Sequence, residues 1–490
     1  MKNLRAAALR GTVWSAVQQL GDRAIRVPVY LALARLLSPR AIGLVALSAA
    51  YVDFLQLFRN QGITAALVQR ERLRPEHVDS AFWGGLALGI VMGLVGFASA
   101  GIFAQAVGQP QLEPVVRWLS VGFLLSGLSA VQDAILRREL RFRSLAARSI
   151  IGQAVAGAVA IVAALRGLGV WSLVLMLLVY QATNVWLLWR ACPWRPGWRF
   201  SRTAYRELLS FGVPTLGLNV TRLARMRADN FIIGVWLGAA PLGLYSIAIQ
   251  VVDGIWAVVN GSVSPVLWST LSRLQDERAR LARAIDQASE MLALATWPAF
   301  LGLAAVAPYA MPLVLGARWA ASAPILAALA VGAVARSLSV VPLTALAAIG
   351  ETRWRLGIEL IVAVLILGAM ALGLPWGVVA VAWAYTLALF VATPVQLGVS
   401  LRLLEREGAG YLERFRMPAI ASLLMLCVLM GTRGLLPEDV ADLPAVAALV
   451  VVGATAYSVL VWVVGPDILE RALGNFTTAL RTSRGGDLES

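Results

Sequence analysis

The sequence contains very few of the residues that usually carry metal, redox or acid–base chemistry. Only two cysteines and one histidine occur among 490 residues, and the only lysine is Lys2. Cys192 and Cys427 are too far apart in the sequence to predict a disulfide or a metal framework. The single histidine, His77, lies in a polar connector, where we expect a solvated side chain. We therefore predict neither a bound metal nor a cofactor.

Enzyme motifs are also missing from the sequence. No glycine-rich phosphate loop is followed by a lysine, because Lys2 is the only lysine. No histidine lies within an apolar run, where it could act as an intramembrane base. We predict that the chain is not an enzyme, and in particular neither an ATPase nor a histidine-dependent transferase.

Apolar residues dominate what is present. Hydrophobic residues make up 59% of the chain, charged residues make up 14%, and the mean hydropathy is +0.76, which excludes an ordinary soluble protein. The net charge of +15 comes from basic residues that punctuate apolar runs and form no single basic face. This distribution is typical of membrane topology and argues against nucleic acid as a partner.

Fourteen apolar runs are long enough to cross a bilayer, and runs of this length span it as helices. We predict an all-α polytopic membrane protein with about 14 transmembrane helices. The runs lie at 11–37, 41–67, 80–107, 115–136, 145–165, 168–189, 211–237, 241–269, 288–315, 322–349, 356–374, 376–402, 417–436 and 444–465.

The arginines predict how these helices are oriented. If the amino terminus is cytoplasmic, nearly all arginines of the connectors fall on the cytoplasmic side. The opposite side holds only Arg35, Arg40, Arg166, Arg318 and Arg433. This asymmetry follows the positive-inside rule and predicts that both termini are cytoplasmic. We expect a multi-pass protein of the cytoplasmic (inner) membrane.

An internal repeat relates the two halves of the chain. The segment 37–44 aligns with 237–244 at an offset of 200, and the same offset places Asp53 on Asp253. Both halves start from the cytoplasm with six spans each, so we predict two parallel six-helix repeats related by an axis along the membrane normal. The predicted domains are an N-lobe at 1–200 with spans 1–6, a C-lobe at 201–405 with spans 7–12, and 406–490 with spans 13–14 and a cytoplasmic tail.

The run 211–237 carries a cluster of charges near its centre, namely Arg222, Arg225, Arg227 and Asp229. A charge at the middle of a spanning helix costs on the order of 3 kcal/mol, so these side chains should face protein or water. On a helix, Arg222, Arg225 and Asp229 share one face, whereas Arg227 points away. The alternative is that two short apolar pieces flank a cytoplasmic basic loop.

Equivalent spans of the two halves carry matching polar residues. At an offset of 199, Arg23 and Arg26 of span 1 align with Arg222 and Arg225 of span 7. Because guanidinium groups donate paired hydrogen bonds and remain charged, such clusters suit a phosphate group. We predict a substrate-binding cavity between the lobes, lined by Arg23, Arg26, Arg222, Arg225, Arg227, Arg59, Arg336, Gln19, Tyr30, Asn60 and Asn260.

Acidic residues within the spans are candidates for ion coupling. Asp53, Asp229 and Asp253 are the candidates to bind a proton or a sodium ion during transport. Asp133 and Glu359 lie nearer the ends of their spans and are weaker candidates. The alternative is that the carboxylates only neutralise the arginines in structural pairs, and the sequence leaves both interpretations open.

Short motifs in a fixed order carry a resemblance to a known transporter family. They are Leu33-Ala34-Arg35-Leu36-Leu37-Ser38-Pro39, Ile42-Gly43-Leu44, Arg137-Arg138-Glu139-Leu140-Arg141-Phe142, Gly169-Val170-Trp171, Trp194-Arg195-Pro196, Arg199-Phe200-Ser201, Asp229-Asn230-Phe231-Ile232-Ile233-Gly234 and Leu242-Gly243-Leu244-Tyr245-Ser246. Through them, most of residues 10–405 resembles a polysaccharide flippase of the multidrug/oligosaccharidyl-lipid/polysaccharide exporter superfamily, in the branch of colanic-acid and lipopolysaccharide exporters.

The resemblance implies 12 core helices plus two, alternating access of two lobes, and an oligosaccharide linked by pyrophosphate to a polyprenyl carrier. The implied partners are this lipid-linked substrate, membrane lipids, and the polymerase and glycosyltransferases of the same pathway. Such proteins commonly carry a basic residue directly after the Tyr245-Ser246 pair, where this chain has Ile247. If that charge contacts substrate in relatives, this chain handles the head group differently.

Other functions remain as alternatives. An ion-coupled multidrug antiporter of the same superfamily would favour an acidic, aromatic cavity, which the excess of intramembrane arginine opposes. A polytopic glycan polymerase or ligase would carry a large outside loop with catalytic groups, whereas the longest outside connector here has about eight residues. A scaffold without transport activity also stays open.

Overall fold

The computed structural model describes the backbone of residues 2–59, 63–70, 73–209, 228–435, 437 and 442–464, and their side chains apart from 2–10, 12, 58, 59, 65, 260–266, 269 and 464. This described part is helical and contains no strand. Its helices are α1 Lys2–Leu36, α2 Pro39–Arg59, α3 Ile63–Gln69, α4 Pro75–Ala106, α5 Leu112–Arg138, α6 Phe142–Leu165, α7 Val170–Ala191, α8 202–209, α9 228–236, α10 Ala239–Arg273, α11 Arg278–Leu315, α12 Ala323–Ala348, α13 Thr352–Gly373, α14 Val378–Leu403, α15 Gly408–Glu413, α16 Arg416–Leu435 and α17 Asp442–Val464.

Within the described ranges, 12 helices are long and apolar enough to cross a membrane. Each of them corresponds to a predicted apolar run, so the prediction of an all-α polytopic membrane protein is confirmed. Helix α1 forms one continuous helix but is not among the 12, because Asp22, Arg23 and Arg26 interrupt its apolar surface. Most of the predicted run 211–237 lies outside the described residues, so the count of 14 is approximate.

The predicted run 41–67 covers two described helical segments, α2 Pro39–Arg59 and the seven-residue α3 Ile63–Gln69. The three residues between them, 60–62, lie outside the described part of the chain.

The two halves of the chain repeat the same pairing of helices. In the first half, α4 packs on α5, α5 packs on α7, and α6 packs on α7. The equivalent pairs recur in the second half, where α11 packs on α12, α12 packs on α14, and α13 packs on α14. This repeated pattern supports the prediction of parallel repeats, since each helix finds the same neighbour in its own half.

The chain divides into two compact units, Met1–Ser246 and Ile247–Ser490. The boundary of the predicted lobes at residue 200 stays a prediction. In the second unit, the two helices beyond the repeats, α16 and α17, pack on each other and both pack on α11. The carboxy-terminal helix pair is therefore attached to the first helix of the four-helix set α11–α14.

The segment that follows α7 is fastened to the start of α4. Asp79 Oδ1 accepts the backbone N–H of Gly197 at 3.1 Å, and Trp83 Nε1 donates to the carbonyl of the same glycine at 2.8 Å. The Trp83 ring also stacks on Trp198, with 4.8 Å between ring centres. A little further on, the N–H of Ser201 donates to a hydroxyl of α4. These contacts hold the connector 192–201 as a fixed strap rather than a loose linker.

The prediction of a solvated histidine is wrong, because His77 is only 1% exposed. Its Nδ1 accepts the backbone N–H of Arg74 at 3.2 Å and so caps the first turn of α4. Since Nδ1 is an acceptor, Nε2 carries the proton and donates to Glu207 Oε2 at 3.2 Å. Hydrogen bonds from Arg70 and His77 lower the pKa of the Glu207 carboxyl, which lies on α8. The capping contact and the hydrogen bond to Glu207 explain why a polar residue is buried here.

The repeated motif, 37–44 and 237–244, forms a close backbone contact where α2 and α10 begin, and both segments lie in the first compact unit. A Cβ added at Gly43 would lie 1.7 Å from the carbonyl oxygen of Ala239. A Cβ added at Gly243 would lie 1.8 Å from the carbonyl oxygen of Pro39. The two contacts are reciprocal, because Gly43 and Gly243 are equivalent positions of the repeat, and so are Pro39 and Ala239. Only glycine allows two backbones to approach so closely, so each repeat supplies one.

We predict that Gly43→Ala destabilises the protein strongly. Overpacking of a tight site typically costs about 1–3 kcal/mol, and a methyl group facing a backbone carbonyl cannot be relieved by a side-chain rotation. The expected result is a clear fall in the thermal midpoint of the purified protein, followed by the fluorescence of its 17 tryptophans.

Gly254→Ala is the matched control, because a Cβ at this helical glycine meets no atom within 4 Å. Alanine in a helix is favoured over glycine by up to about 1 kcal/mol, so this variant should melt at or above the wild-type midpoint. Equal thermal midpoints for the two variants would contradict the close backbone contact at Gly43 and Gly243.

Candidate functional site

Helix α1 carries four of the predicted substrate-binding residues on one stripe and packs along α6. Gln19, Arg23, Arg26 and Tyr30 recur at helical spacing, so they share one face. Gln19 and Arg26 are exposed, whereas Arg23 and Tyr30 are half-buried and already engaged in other contacts. Pro28 lies between Arg26 and Tyr30 in the sequence but on the opposite face of α1, and because proline lacks an N–H, the carbonyl four residues earlier loses its helical donor. Helix α1 therefore lacks one backbone hydrogen bond in the part that carries the polar stripe.

A polar cluster that the sequence did not reveal joins α1, α6 and α7. Asp22 Oδ2 accepts a hydrogen bond from Ser149 Oγ at 2.7 Å, and that hydroxyl lies 3.4 Å from the hydroxyl of Tyr180. Asn184 donates to the carbonyl of Tyr180 at 2.7 Å, which fixes the neighbouring turn of α7. The other carboxylate oxygen, Asp22 Oδ1, is buried and has no hydrogen-bond partner among the described residues.

The orphaned oxygen of Asp22 makes this cluster a candidate for ion coupling. A buried acceptor without a partner costs about 1–3 kcal/mol, and a proton or a small cation at Oδ1 would relieve that cost. The acidic residue beside two arginines within a predicted span was the sequence signal for this site. Its partners Ser149 and Tyr180 come from other helices, so spacing along the sequence could not identify them.

In the second compact unit, the structure brings together two of the predicted site residues. Arg336 Nη1 of α12 lies 3.2 Å from Asp253 Oδ1 of α10. The guanidinium carbon of Arg336 also lies 4.7 Å from the ring centre of Trp256, three residues along α10 from Asp253. Trp256 is buried and stacks on Phe300, with 6.1 Å between ring centres. An ion pair and a cation–π contact thus hold one arginine from two sides.

The Arg336–Asp253 pair remains accessible although it is held in place. The side chain of Arg336 is 40% exposed and that of Asp253 is 56% exposed. An ion pair that serves structure alone is usually shielded, as the side chain of Asp286 is, at 6% exposed against Arg406. The arrangement allows Arg336 to exchange its carboxylate partner for another anion.

The remaining predicted site residues are less informative. Asp53 is half-buried and engaged in other contacts. Asp229 Oδ1 accepts the backbone N–H of the next residue, Asn230, at 2.8 Å. The side chains of six predicted residues lie outside the described part of the chain, so their place in a cavity stays a prediction: Arg59, Asn60, Arg222, Arg225, Arg227 and Asn260.

The two weaker coupling candidates are bound in ion pairs. Asp133 contacts Arg137 Nε at 2.6 Å and Arg148 Nη2 at 2.6 Å, and its side chain is 16% exposed. Glu359 lies 3.1 Å from Arg355 Nε, one turn away on α13. Two arginines on one carboxylate favour a structural role for Asp133. Among the described residues, no three His, Cys, Asp or Glu side chains gather as metal ligands.

Sequence comparison places the chain among proteins of polysaccharide biosynthesis. A family model described as polysaccharide biosynthesis protein matches residues 32–324. The succinoglycan biosynthesis transport protein ExoT of Rhizobium meliloti (strain 1021) is 28% identical over 473 residues, which cover 95% of this chain and 94% of ExoT.

Solved structures share the fold of this chain. The lipid II flippase MurJ, in an inward closed conformation, matches with a TM-score of 0.74 at 14% identity, over 94% of this chain and 99% of MurJ. A multidrug resistance MATE family transporter in an inward-facing conformation matches with a TM-score of 0.61 at 17% identity, over 79% of this chain and 94% of that structure. Because both identities are low, these likenesses establish the fold alone.

The exposure of the Arg336–Asp253 pair leads to a prediction about stability. Exposed ion pairs contribute at most about 1 kcal/mol, so Arg336→Gln should lower the thermal midpoint only slightly. Arg406→Gln should lower it much more, because it removes the hydrogen-bonded partner of the buried Asp286, a loss on the order of 3 kcal/mol. Thermal unfolding of both purified variants compares them directly. An equal or larger loss for Arg336→Gln would show that its pair is a structural element.

Proposed function

The chain belongs to the polysaccharide biosynthesis protein family, and we propose that it is a flippase for lipid-linked oligosaccharide. In this proposal it carries a polyprenyl-pyrophosphate-linked oligosaccharide across the cytoplasmic membrane for the synthesis of cell-surface polysaccharide. The observation that carries the proposal is the match to ExoT, a transport protein of succinoglycan biosynthesis, over 95% of this chain. The MurJ-like fold supports it, since that architecture suits a transporter rather than a soluble catalyst.

Arginines within the spans supply the chemistry for the pyrophosphate. A phosphate oxygen bound by a guanidinium fork accepts charge-assisted hydrogen bonds, which are about twice as strong as neutral ones. Arg23 and Arg26 on α1 and their counterparts Arg222 and Arg225 would receive the head group from both halves. Arg336, which is paired with one exposed carboxylate, and the predicted Arg59 and Arg227 complete the set of candidate arginines. Gln19 and Tyr30 add neutral hydrogen-bonding groups on the α1 stripe.

The proposed transport cycle moves the head group and leaves the tail in lipid. Two lobes, 1–200 and 201–405, open first toward the cytoplasm, where the sugar-pyrophosphate enters. Rocking of the lobes then exposes it on the far side of the membrane. The arginine distribution supports cytoplasmic termini and an inner-membrane location. The polymerase and glycosyltransferases of the same pathway would act before and after this step.

Multidrug antiport is the main alternative function. The fold does not decide against it, since a multidrug transporter shares the architecture. Charge does favour the flippase, because organic cations would be repelled by the arginines of α1 and α12. A glycan polymerase or ligase is the second alternative, and the likeness to a named transport protein opposes it.

Coupling to an ion is the finer part of the proposal. The predicted candidates are Asp53, Asp229 and Asp253, and the structure adds Asp22. Asp22 is favoured because its orphaned oxygen is buried, whereas Asp253 is paired with Arg336. We assign a proton as the coupling ion at Asp22, since a single carboxylate oxygen can accept one without further ligands.

Charge reversal tests the arginine site. Arg26→Glu and Arg225→Glu should each lower translocation at least tenfold, because attraction worth about 1.5–3 kcal/mol is replaced by repulsion. The assay measures the fraction of lipid-linked glycan that a membrane-impermeant oxidase labels from outside in spheroplasts. Arg40→Glu is the control, since Arg40 is an exposed arginine at the start of α2. Wild-type translocation by Arg26→Glu at equal membrane abundance would refute the site.

Asp22→Asn tests the coupling assignment. Asparagine keeps an oxygen for Ser149 but cannot exchange a proton, so translocation in vesicles should stop responding to an imposed pH gradient. Ser149→Ala keeps the carboxylate and should retain the response. A normal response in Asp22→Asn, with loss only in Asp53→Asn, Asp229→Asn or Asp253→Asn, would move coupling to that residue.

A further inference from the structure

A groove in the second compact unit is not used by the proposed transport path. It is a cavity of about 440 Å³ formed by one face of α14, Leu338 of α12 and the short helix α15. The lining residues of α14 recur at helical spacing, so they form a continuous stripe along that helix. They are Phe390, Thr393, Pro394, Leu397, Gly398, Leu401 and Arg402.

Small residues create the hollow. Gly398 contributes no side chain, and a Cβ added there would meet no atom within 4 Å. One turn earlier, Pro394 lies inside the helix and cannot donate to the carbonyl of Phe390. The only hydroxyl of the groove, on Thr393, is already hydrogen-bonded to the carbonyl of Leu389 at 2.8 Å. The middle of the groove is therefore apolar.

The end of the groove carries an available positive charge. Arg402 lies in the last turn of α14, is exposed, and has no ion-pair or hydrogen-bond partner among the described residues. Arg406, which also borders the groove, differs because it donates to Asp286 Oδ1 at 3.3 Å and Oδ2 at 2.5 Å. One arginine is thus committed to structure and the other is free to bind an anion.

The position of the groove along the membrane helix matches an amphipathic ligand. Helix α14 is one of the candidate spans, and Arg402 lies at its carboxyl end, where the membrane interface begins. The stripe from Phe390 to Gly398 lies deeper, in the hydrocarbon region. Basic pockets between transmembrane helices at the cytoplasmic side are typical sites for anionic lipid head groups.

We propose that this groove binds a glycerophospholipid with an anionic head group. One acyl chain lies along Phe390, Pro394 and Gly398, and the phosphate accepts hydrogen bonds from Arg402. A single available guanidinium matches the single negative charge of such a lipid. A polyprenyl carrier ends in a phosphate monoester or a pyrophosphate, and either carries more negative charge than one guanidinium can neutralise. The site goes beyond the proposed transport function, and its occupancy can be measured without transport.

The test uses the purified, delipidated full-length protein and native mass spectrometry. The protein is titrated with phosphatidylglycerol, with zwitterionic phosphatidylethanolamine and with polyprenyl phosphate in separate experiments. We expect phosphatidylglycerol to bind in preference to the other two. Its occupancy should fall at least fivefold in Arg402→Gln, which removes the charge, and in Gly398→Leu, which fills the groove. Leucine is favoured over glycine in a helix, so the second variant should fold.

Matched controls exist for both substitutions. Arg353→Gln removes an exposed arginine without a described partner at the start of α13, and Gly368→Leu fills an open position on the same helix. Both controls should bind phosphatidylglycerol as the wild type does. The proposal is overturned if phosphatidylethanolamine binds equally well or if all four variants retain wild-type occupancy. Preferential binding of polyprenyl phosphate with the same variant pattern would also overturn it, because the occupant would then be the carrier lipid.

Discussion

The cost of a charge in hydrocarbon is the constraint on which this structure depends. The chain is 59% hydrophobic, yet its spans contain arginines and aspartates that lipid cannot solvate. The described part of the chain shows three arrangements of such charges. Asp133 and Asp286 are shielded and held by arginines, as structural pairs are. Asp253 and Arg336 are paired but exposed, and Asp22 is buried with one oxygen unsatisfied. The exposed pair and the unsatisfied oxygen leave charge for a ligand, whereas the shielded pairs do not.

The internal repeat places these charges in two sets of helices that pack in the same way. The same helix pairs form in each half, so each half can move as a packed body. The reciprocal glycine crossing at Gly43 and Gly243 brings the equivalent segments of both repeats into backbone contact. The connector 192–201 is held against α4 by hydrogen bonds from Gly197 to Asp79 and from Trp83 to Gly197. A transporter that rocks needs such fixed contacts next to the parts that move.

The length of the apolar runs predicted the fold well, because a long hydrophobic run crosses a membrane as a helix. The predicted run 322–349 differs from α12, Ala323–Ala348, by one residue at each end. Sequence reasoning failed where tertiary partners decide the outcome. His77 is buried because it caps α4 and contacts Glu207, 130 residues away. Asp22 was passed over because Ser149 comes from another helix. Pairing of Asp253 with an arginine was one of the two interpretations that the sequence left open, but the sequence did not identify Arg336 as the partner.

The central claim is that the paired arginines of the two repeats face a water-filled cavity. Because the chain has only two cysteines, both can be replaced, and Arg23→Cys, Arg26→Cys, Arg222→Cys and Arg225→Cys can be introduced singly. The measurement is the rate of labelling by a membrane-impermeant thiosulfonate, with and without inorganic pyrophosphate. The proposed function predicts rapid labelling at all four positions and protection by pyrophosphate. Labelling only by a lipophilic maleimide would place these side chains in lipid or in packed protein and would contradict it.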